Sequence, residues 1–127
     1  MSTPHRIDIQ VRFADTDAVG HINNASYASW SELARLRFLE ESGHAPVNFI
    51  LAHLSIDFRR QVDYTDAVHV ESRVTAIGHT SFTMAQVIHA NGAVAAEVKS
   101  VIVSFDYGAQ RSVPIPAAFR EWLAAKT

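Results

Sequence analysis

The sequence predicts an α+β fold: a curved antiparallel sheet of about five strands wrapped around one long central helix. Three observations predict it. Apolar and polar residues alternate with period two in four strand-length runs, and Val94 to Phe105 forms a fifth, more continuously apolar one. One helical window, from about Ala25 to Ser42, is apolar on nearly every face, as a helix enclosed by other elements is. An Asn91-Gly92 pair separates two of the alternating runs, a strong hairpin signal. With 48% apolar residues and no linker, repeat or low-complexity stretch, residues 1–127 read as a single domain with its own core.

In chain order, Ile7, Ile9, Val11 and Phe13 alternate with Asp8, Gln10 and Arg12 as a half-buried first strand. A loop from Ala14 to Asn23 follows, with Gly20 free to take positive φ. Asn24 or Asn23 caps the long helix, and Gly43 stops it. Tyr27, Trp30, Ala34 and Phe38 form its apolar stripe, and Leu33, Leu36 and Leu39 spread apolar surface onto other faces. Ile50, Ala52, Leu54, Ile56 and Phe58 alternate with polar residues in the next strand, and Val68, Val70, Ser72, Val74 and Ala76 in the one after. Gly78-His79-Thr80-Ser81 is a turn, and Phe82, Met84, Gln86 and Ile88 begin the return. Val94 to Phe105 is the last strand, and Pro116 sits at the first position of a short helix ending near Ala125. The order is strand, long buried helix, four long strands in meander, short helix. A single curved sheet leaves edges and a second face to cover, which predicts a homo-oligomer, dimer or tetramer.

Composition narrows the function. A net charge of −2 argues against broad nucleic-acid or membrane-surface binding. The absence of cysteine excludes disulfides, thiolate metal sites and a cysteine nucleophile. Met1 to Arg6 carries no apolar leader and no segment reaches ~18 apolar residues, so the expectation is a soluble cytoplasmic protein without membrane insertion. The seven histidines show neither an HExxH motif nor a His-x-His pair, so no metal is expected, and neither a glycine-rich phosphate loop nor a Gly-x-Ser-x-Gly elbow is present.

Chemistry concentrates between Arg12 and Asn24. This span places Asp15, Asp17 and His21 between a strand and a helix start, more polar groups than core packing requires. A carboxylate beside a helix N-terminus suits reaction at a carbonyl: one group attacks or activates water, the other holds the developing oxyanion. From residue types alone, Asp17 either does this or tightens the loop by bonding backbone N–H groups. Asp15 is read as bonding the backbone or Arg12, and His21 as orienting Asp17, touching substrate or bonding the loop.

The run Phe13-Ala14-Asp15-Thr16-Asp17-Ala18-Val19-Gly20-His21-Ile22-Asn23-Asn24-Ala25-Ser26-Tyr27 resembles the signature of hot-dog-fold acyl-CoA thioesterases of the 4-hydroxybenzoyl-CoA thioesterase type. The likeness extends through Trp30 to Arg37, Asp57 to Val62, Gly78 to Ser81 and Pro114-Ile115-Pro116. It implies hydrolysis of an acyl-CoA thioester to free acid and coenzyme A, with no cofactor because coenzyme A is part of the substrate. The family's catalytic carboxylate, the second of its Asp-x-Asp pair, falls on Asp17, and its backbone oxyanion donor on Asn24 or a neighbour. A related subtype carries its carboxylate on the central helix, which makes Glu32 the second candidate; the alternative for Glu32 is an ion pair with Arg35. Arg59, Arg60, Thr80 and Ser81 are candidates for the coenzyme A end, or else solvated surface, and Tyr27 is core or a substrate contact. Arg60-Gln61 stands where the family often has Arg-Pro. Two other functions fit the same residues: a hydratase or dehydratase acting on an acyl thioester, and a non-catalytic acyl-thioester-binding module.

Overall fold

The computed structural model describes residues 3–43 and 48–127, so Met1 and Ser2 of the segment read as lacking a leader lie outside it. The elements are β1 (His5–Ile9), α1 (Asn24–Glu40), β2 (Phe49–Phe58), β3 (Val68–Ile77), β4 (Ser81–Ala90), β5 (Ala93–Asp106), β6 (Arg111–Ser112) and α2 (Ala117–Ala124). They form one antiparallel sheet in the order β1-β3-β4-β5-β2, and β6 pairs with the end of β5. This is the hot-dog arrangement that the resemblance implies.

The strands match the period-two runs, with corrections at their ends and neighbours. The first strand does not continue to Phe13. The Asp15 carboxylate takes the Arg12 backbone N–H at 2.9 Å, which draws the chain out of the ladder into a 3-10 turn over Phe13–Asp15, and Phe13 is 80% exposed. The four long strands are not one meander either. β3, β4 and β5 follow each other as hairpins, but β2 lies on the far side of β5 and does not pair with β3. Its connection to β3 is no tight turn: Arg59 and Arg60 donate backbone N–H bonds to the Ala95 carbonyl, and buried Val62 accepts one from Ile22. The chain thereby crosses from one edge of the sheet toward the other.

Bulges adjust which side chains face inward. In β2 the register shifts between Leu51 and His53, so Phe49 at one end and Leu54 and Ile56 at the other reach the core despite their opposite parity. A shift between Val74 and Ala76 turns Ile77, rather than Ala76, toward the core. The Asn91-Gly92 turn forms as predicted, with φ of 53° and 82° at the two residues, the left-handed pair that a two-residue hairpin demands. Pro116 precedes α2 as its cap residue.

α1 buries the predicted stripe of Tyr27, Trp30, Ala34 and Phe38. It is not enclosed on all sides by this chain: one sheet covers one face, leaving Leu33 41% and Leu36 38% exposed. The core has two apolar clusters. Tyr27, Trp30 and Ala34 pack with Val70, Ile88 and Val98 near the helix start; Phe38 and Leu39 pack with Phe82, Ile102 and Phe119 near its end. Buried polar groups join helix to sheet. Gln86, 1% exposed, donates to the Ser31 carbonyl at 3.0 Å and to Ser72 Oγ at 3.0 Å, and accepts from Ser31 Oγ at 2.7 Å.

Candidate active site

The loop between β1 and α1 is built by two aspartates with different duties. Asp15 is 1% exposed and clamps the loop to the helix. Its carboxylate accepts from Arg12 Nη2 at 3.0 Å and from Ser26 Oγ at 3.0 Å, and its carbonyl accepts from Asn23 N–H at 2.7 Å. Burial pushes this carboxyl up, but the Arg12 side-chain and backbone N–H groups, the Ser26 hydroxyl and the Arg12 charge outweigh it, leaving it below the ordinary 3.8. The structural reading of Asp15 therefore holds.

Asp17 lines a cleft of about 320 Å³. Its Oδ1 accepts backbone N–H bonds from Val19 at 2.9 Å and His21 at 3.1 Å, and its own N–H donates to the His21 carbonyl at 2.7 Å. Gly20, at φ 85°, lets the chain double back within this tight loop. Among the described residues Oδ2 accepts no hydrogen bond. One oxygen thus fixes the loop while the other stays available.

The helix start forms the next part of the wall. Asn23, not Asn24, is the cap: its side chain accepts from Ala25 N–H at 2.8 Å and its carbonyl from Ser26 N–H at 2.9 Å. Asn24 lines the cleft, and its N–H bonds to nothing among the described residues. Of the first three helical N–H groups, the cap satisfies those of Ala25 and Ser26 and leaves that of Asn24 without a partner among the described residues.

Phe58 to Val62, leaving β2, make the facing wall. Arg59 is tied to Glu97 at 2.8 Å, whereas the Arg60 side chain lines the cleft without a hydrogen bond or ion pair among the described residues. The Tyr27 ring meets Phe58 edge-on at 5.1 Å. Burial pushes its phenol above the usual range, opposed by the Val62 backbone and aided by the Asp66 charge, so it stays neutral.

Asp17, His21, Asn24, Tyr27, Arg59 and Arg60 all line one cleft. Ile22, Phe58, Gln61 and Val62 complete it; the strand end that carries the last three was noticed only as part of the family likeness. Glu32 is elsewhere, in a separate hollow of about 190 Å³ with Arg35, Leu36 and Leu51. Burial lowers the Arg35 pKa, and the Glu32 charge opposes that. Thr80 and Ser81 lie at the other end of the sheet. Ser81 pairs with Val103 and Phe58 with Ala96, a separation of about 24 Å along β5 at ~3.4 Å per residue. Within one chain they do not join Arg59 and Arg60. Among the described residues no helix is long and apolar enough to cross a membrane.

Comparison with known proteins follows the same lines. Residues 11–123 match the model of the thioesterase-like superfamily. The chain is similar to the long-chain acyl-CoA thioesterase FadM of Escherichia coli K12, with 28% identity over 123 residues, covering 91% of this chain and 93% of that protein. It superposes on a Thermus thermophilus thioesterase solved with coenzyme A and zinc, with TM-score 0.89 and 35% identity over 97% of this chain and 93% of that one. A predicted thioesterase of Bacillus stearothermophilus gives TM-score 0.88 and 31% identity over 96% and 95% of the two chains.

Proposed function

The chain belongs to the thioesterase-like superfamily and is a thioesterase, and from that premise we propose that it hydrolyses an acyl-CoA to free acid and coenzyme A in the cleft at the start of α1. The observation that carries the reading is the pairing of an uncommitted carboxylate oxygen on Asp17 with the unbonded N–H of Asn24 along one wall.

Asp17 Oδ2 serves in one of two ways. As nucleophile it attacks the thioester carbonyl; the C–S bond breaks, the thiolate leaves with the electron pair, and water hydrolyses the resulting anhydride. As general base it takes a proton from a water that attacks instead, and the proton passes to the departing sulfur. In either case the carbonyl oxygen becomes an oxyanion that the Asn24 N–H stabilises. His21, whose backbone holds Asp17 from both sides, orients the loop. Arg60, with Arg59 beside it, supplies positive charge for the phosphates of coenzyme A, and Tyr27 and Phe58 give apolar surface. No cofactor besides the substrate's own coenzyme A is required. Leu33 and Leu36 of α1 and Leu51 and Phe58 of β2 leave apolar surface that a second copy would cover, so we place the reaction in a homo-oligomer.

The test is a thiol-release screen across short, branched, aromatic and long acyl-CoAs, the last because the FadM relative is named for them. The Asp17→Asn variant runs alongside. Asparagine keeps an Oδ1 that can accept from Val19 and His21, so the loop persists while the reactive oxygen is lost. Turnover should fall by about two decades or more, at most a few degrees of melting temperature being lost. Parental turnover in this variant overturns the assignment to Asp17. Water addition to a crotonyl thioester without thiol release replaces hydrolysis by hydration.

A further inference from the structure

The face of the sheet turned away from α1 carries a second cluster that the cleft does not use. Val68, Val70 and Ser72 of β3 point into the core, so His69 and Glu71 between them point outward. His89 of β4 is the register partner of His69, and the two rings stack with centroids 4.5 Å apart and planes 8° from parallel. Glu71 Oε1 lies 3.4 Å from His69 Nε2 and 3.6 Å from His89 Nε2. All three side chains offer a donor atom within 4.8 Å of the others.

We propose that His69, Glu71 and His89 form a divalent transition-metal site that takes zinc. Tetrahedral zinc, with bonds of ~2.0–2.1 Å, sets its donors about 3.3–3.4 Å apart. Two of the three donor pairs already have nearly that spacing, and the stacked rings must turn out of parallel so that both nitrogen lone pairs converge on the ion. Two imidazoles and one carboxylate form a borderline donor set that suits zinc, nickel or copper better than magnesium or calcium. The side chains are 14%, 34% and 18% exposed, so an ion reaches them from solvent without opening the core. Asp8 stands opposite His69 in register, but Arg6 holds its Oδ1 at 3.2 Å. The three donors of the cluster leave the fourth tetrahedral position for water or for a further ligand such as the free oxygen of Asp8. Because the ligands come from two strands, the metal acts as a staple between β3 and β4. Sequence spacing hid the cluster: His69 and His89 are twenty residues apart, and only the hairpin register brings them together.

The test uses the full chain, free of any affinity tag and stripped with a chelator. Titration with cobalt should give the intense visible bands of a tetrahedral site, saturating at one ion per chain, and calorimetry should show zinc binding at the same stoichiometry. Glu71→Gln and His89→Ala should each weaken binding by more than the ~10–100-fold that loss of a supporting group around a metal costs. Without metal both variants should melt with the parent, and zinc should raise the melting temperature of the parent alone. Absence of tetrahedral bands overturns the site and leaves a histidine–carboxylate cluster. Undiminished stoichiometric binding in both variants overturns it too, placing the ion on other histidines.

Discussion

Asn24→Pro removes a single hydrogen-bond donor and little else. Asn24 is the first residue of α1, where proline is well tolerated because its missing N–H has no helical partner. The residue before a proline must be extended, and Asn23 already is, at φ −65° and ψ 136°. The cap bonds of Asn23 go to Ala25 and Ser26, so neither is disturbed. No intramolecular hydrogen bond is lost, and stiffening the unfolded chain contributes about 0.4–1 kcal/mol in favour of folding. The melting temperature should hold or rise by a few degrees. If the Asn24 N–H receives the oxyanion, kcat should fall ~10²–10³-fold, equivalent to about 2.7–4 kcal/mol, with little change in KM. Asn24→Ala is the control: it keeps the N–H, trims an exposed amide, and should stay within about 0.5 kcal/mol of parental stability and close to parental turnover. Thiol release at saturating acyl-CoA, with thermal melts on the same preparations, reads both quantities. A folded Asn24→Pro enzyme at parental rate refutes the reasoning; equal losses in the proline and alanine variants would assign the role to the side chain instead.

Asp15→Ala should cost about 3 kcal/mol, or roughly 10 °C in melting temperature, because the Arg12 N–H and the Ser26 hydroxyl lose their acceptor. The Asp15 pKa is depressed in the folded state, so its stabilising share is complete above the ordinary 3.8 and lost as pH falls below that value; Asp15→Asn should show a shallower acid limb in pH-dependent melts. Glu32→Gln should hydrolyse within about twofold of the parent, since its hollow is not the cleft; a loss of two decades would transfer the catalytic role to the helix. Arg60→Ala should raise KM for acyl-CoA several-fold while leaving a truncated N-acetylcysteamine thioester unaffected, and equal effects on both would remove Arg60 from the nucleotide end.

What the sequence made legible follows the range of each signal. Alternation such as Phe82, Met84, Gln86, Ile88 reports burial on one face, and it held even at Gln86, a polar residue that proved to be core. Asn91-Gly92 reports a two-residue turn, a local event, and that too was readable. The position of β2 was not, because nothing in Phe49–Phe58 encodes whether its partner is the next strand or the last. The end of β1 was misjudged at Phe13 because a side-chain acceptor three residues on, Asp15, competed with the ladder for the Arg12 N–H. In the cleft, Asp17, His21, Asn24 and Tyr27 were readable together because they follow one another along the chain. Arg59, Arg60, Thr80 and Ser81 were grouped on charge and hydroxyls at strand ends and turns, and chemistry carries no information about which end of a sheet a turn occupies.

A helix resting on a smooth aliphatic surface can slide or roll by a fraction of an ångström at small expense, because dispersion forces have no preferred azimuth. The amide of Gln86, gripping Ser31 from the sheet, acts as a key in a slot: it indexes the rod both along its length and around its axis. The orientation of the backbone N–H groups at the rod's tip is thereby set from the middle of the molecule. The walls of the cleft are free to vary in size and shape while that orientation stays put.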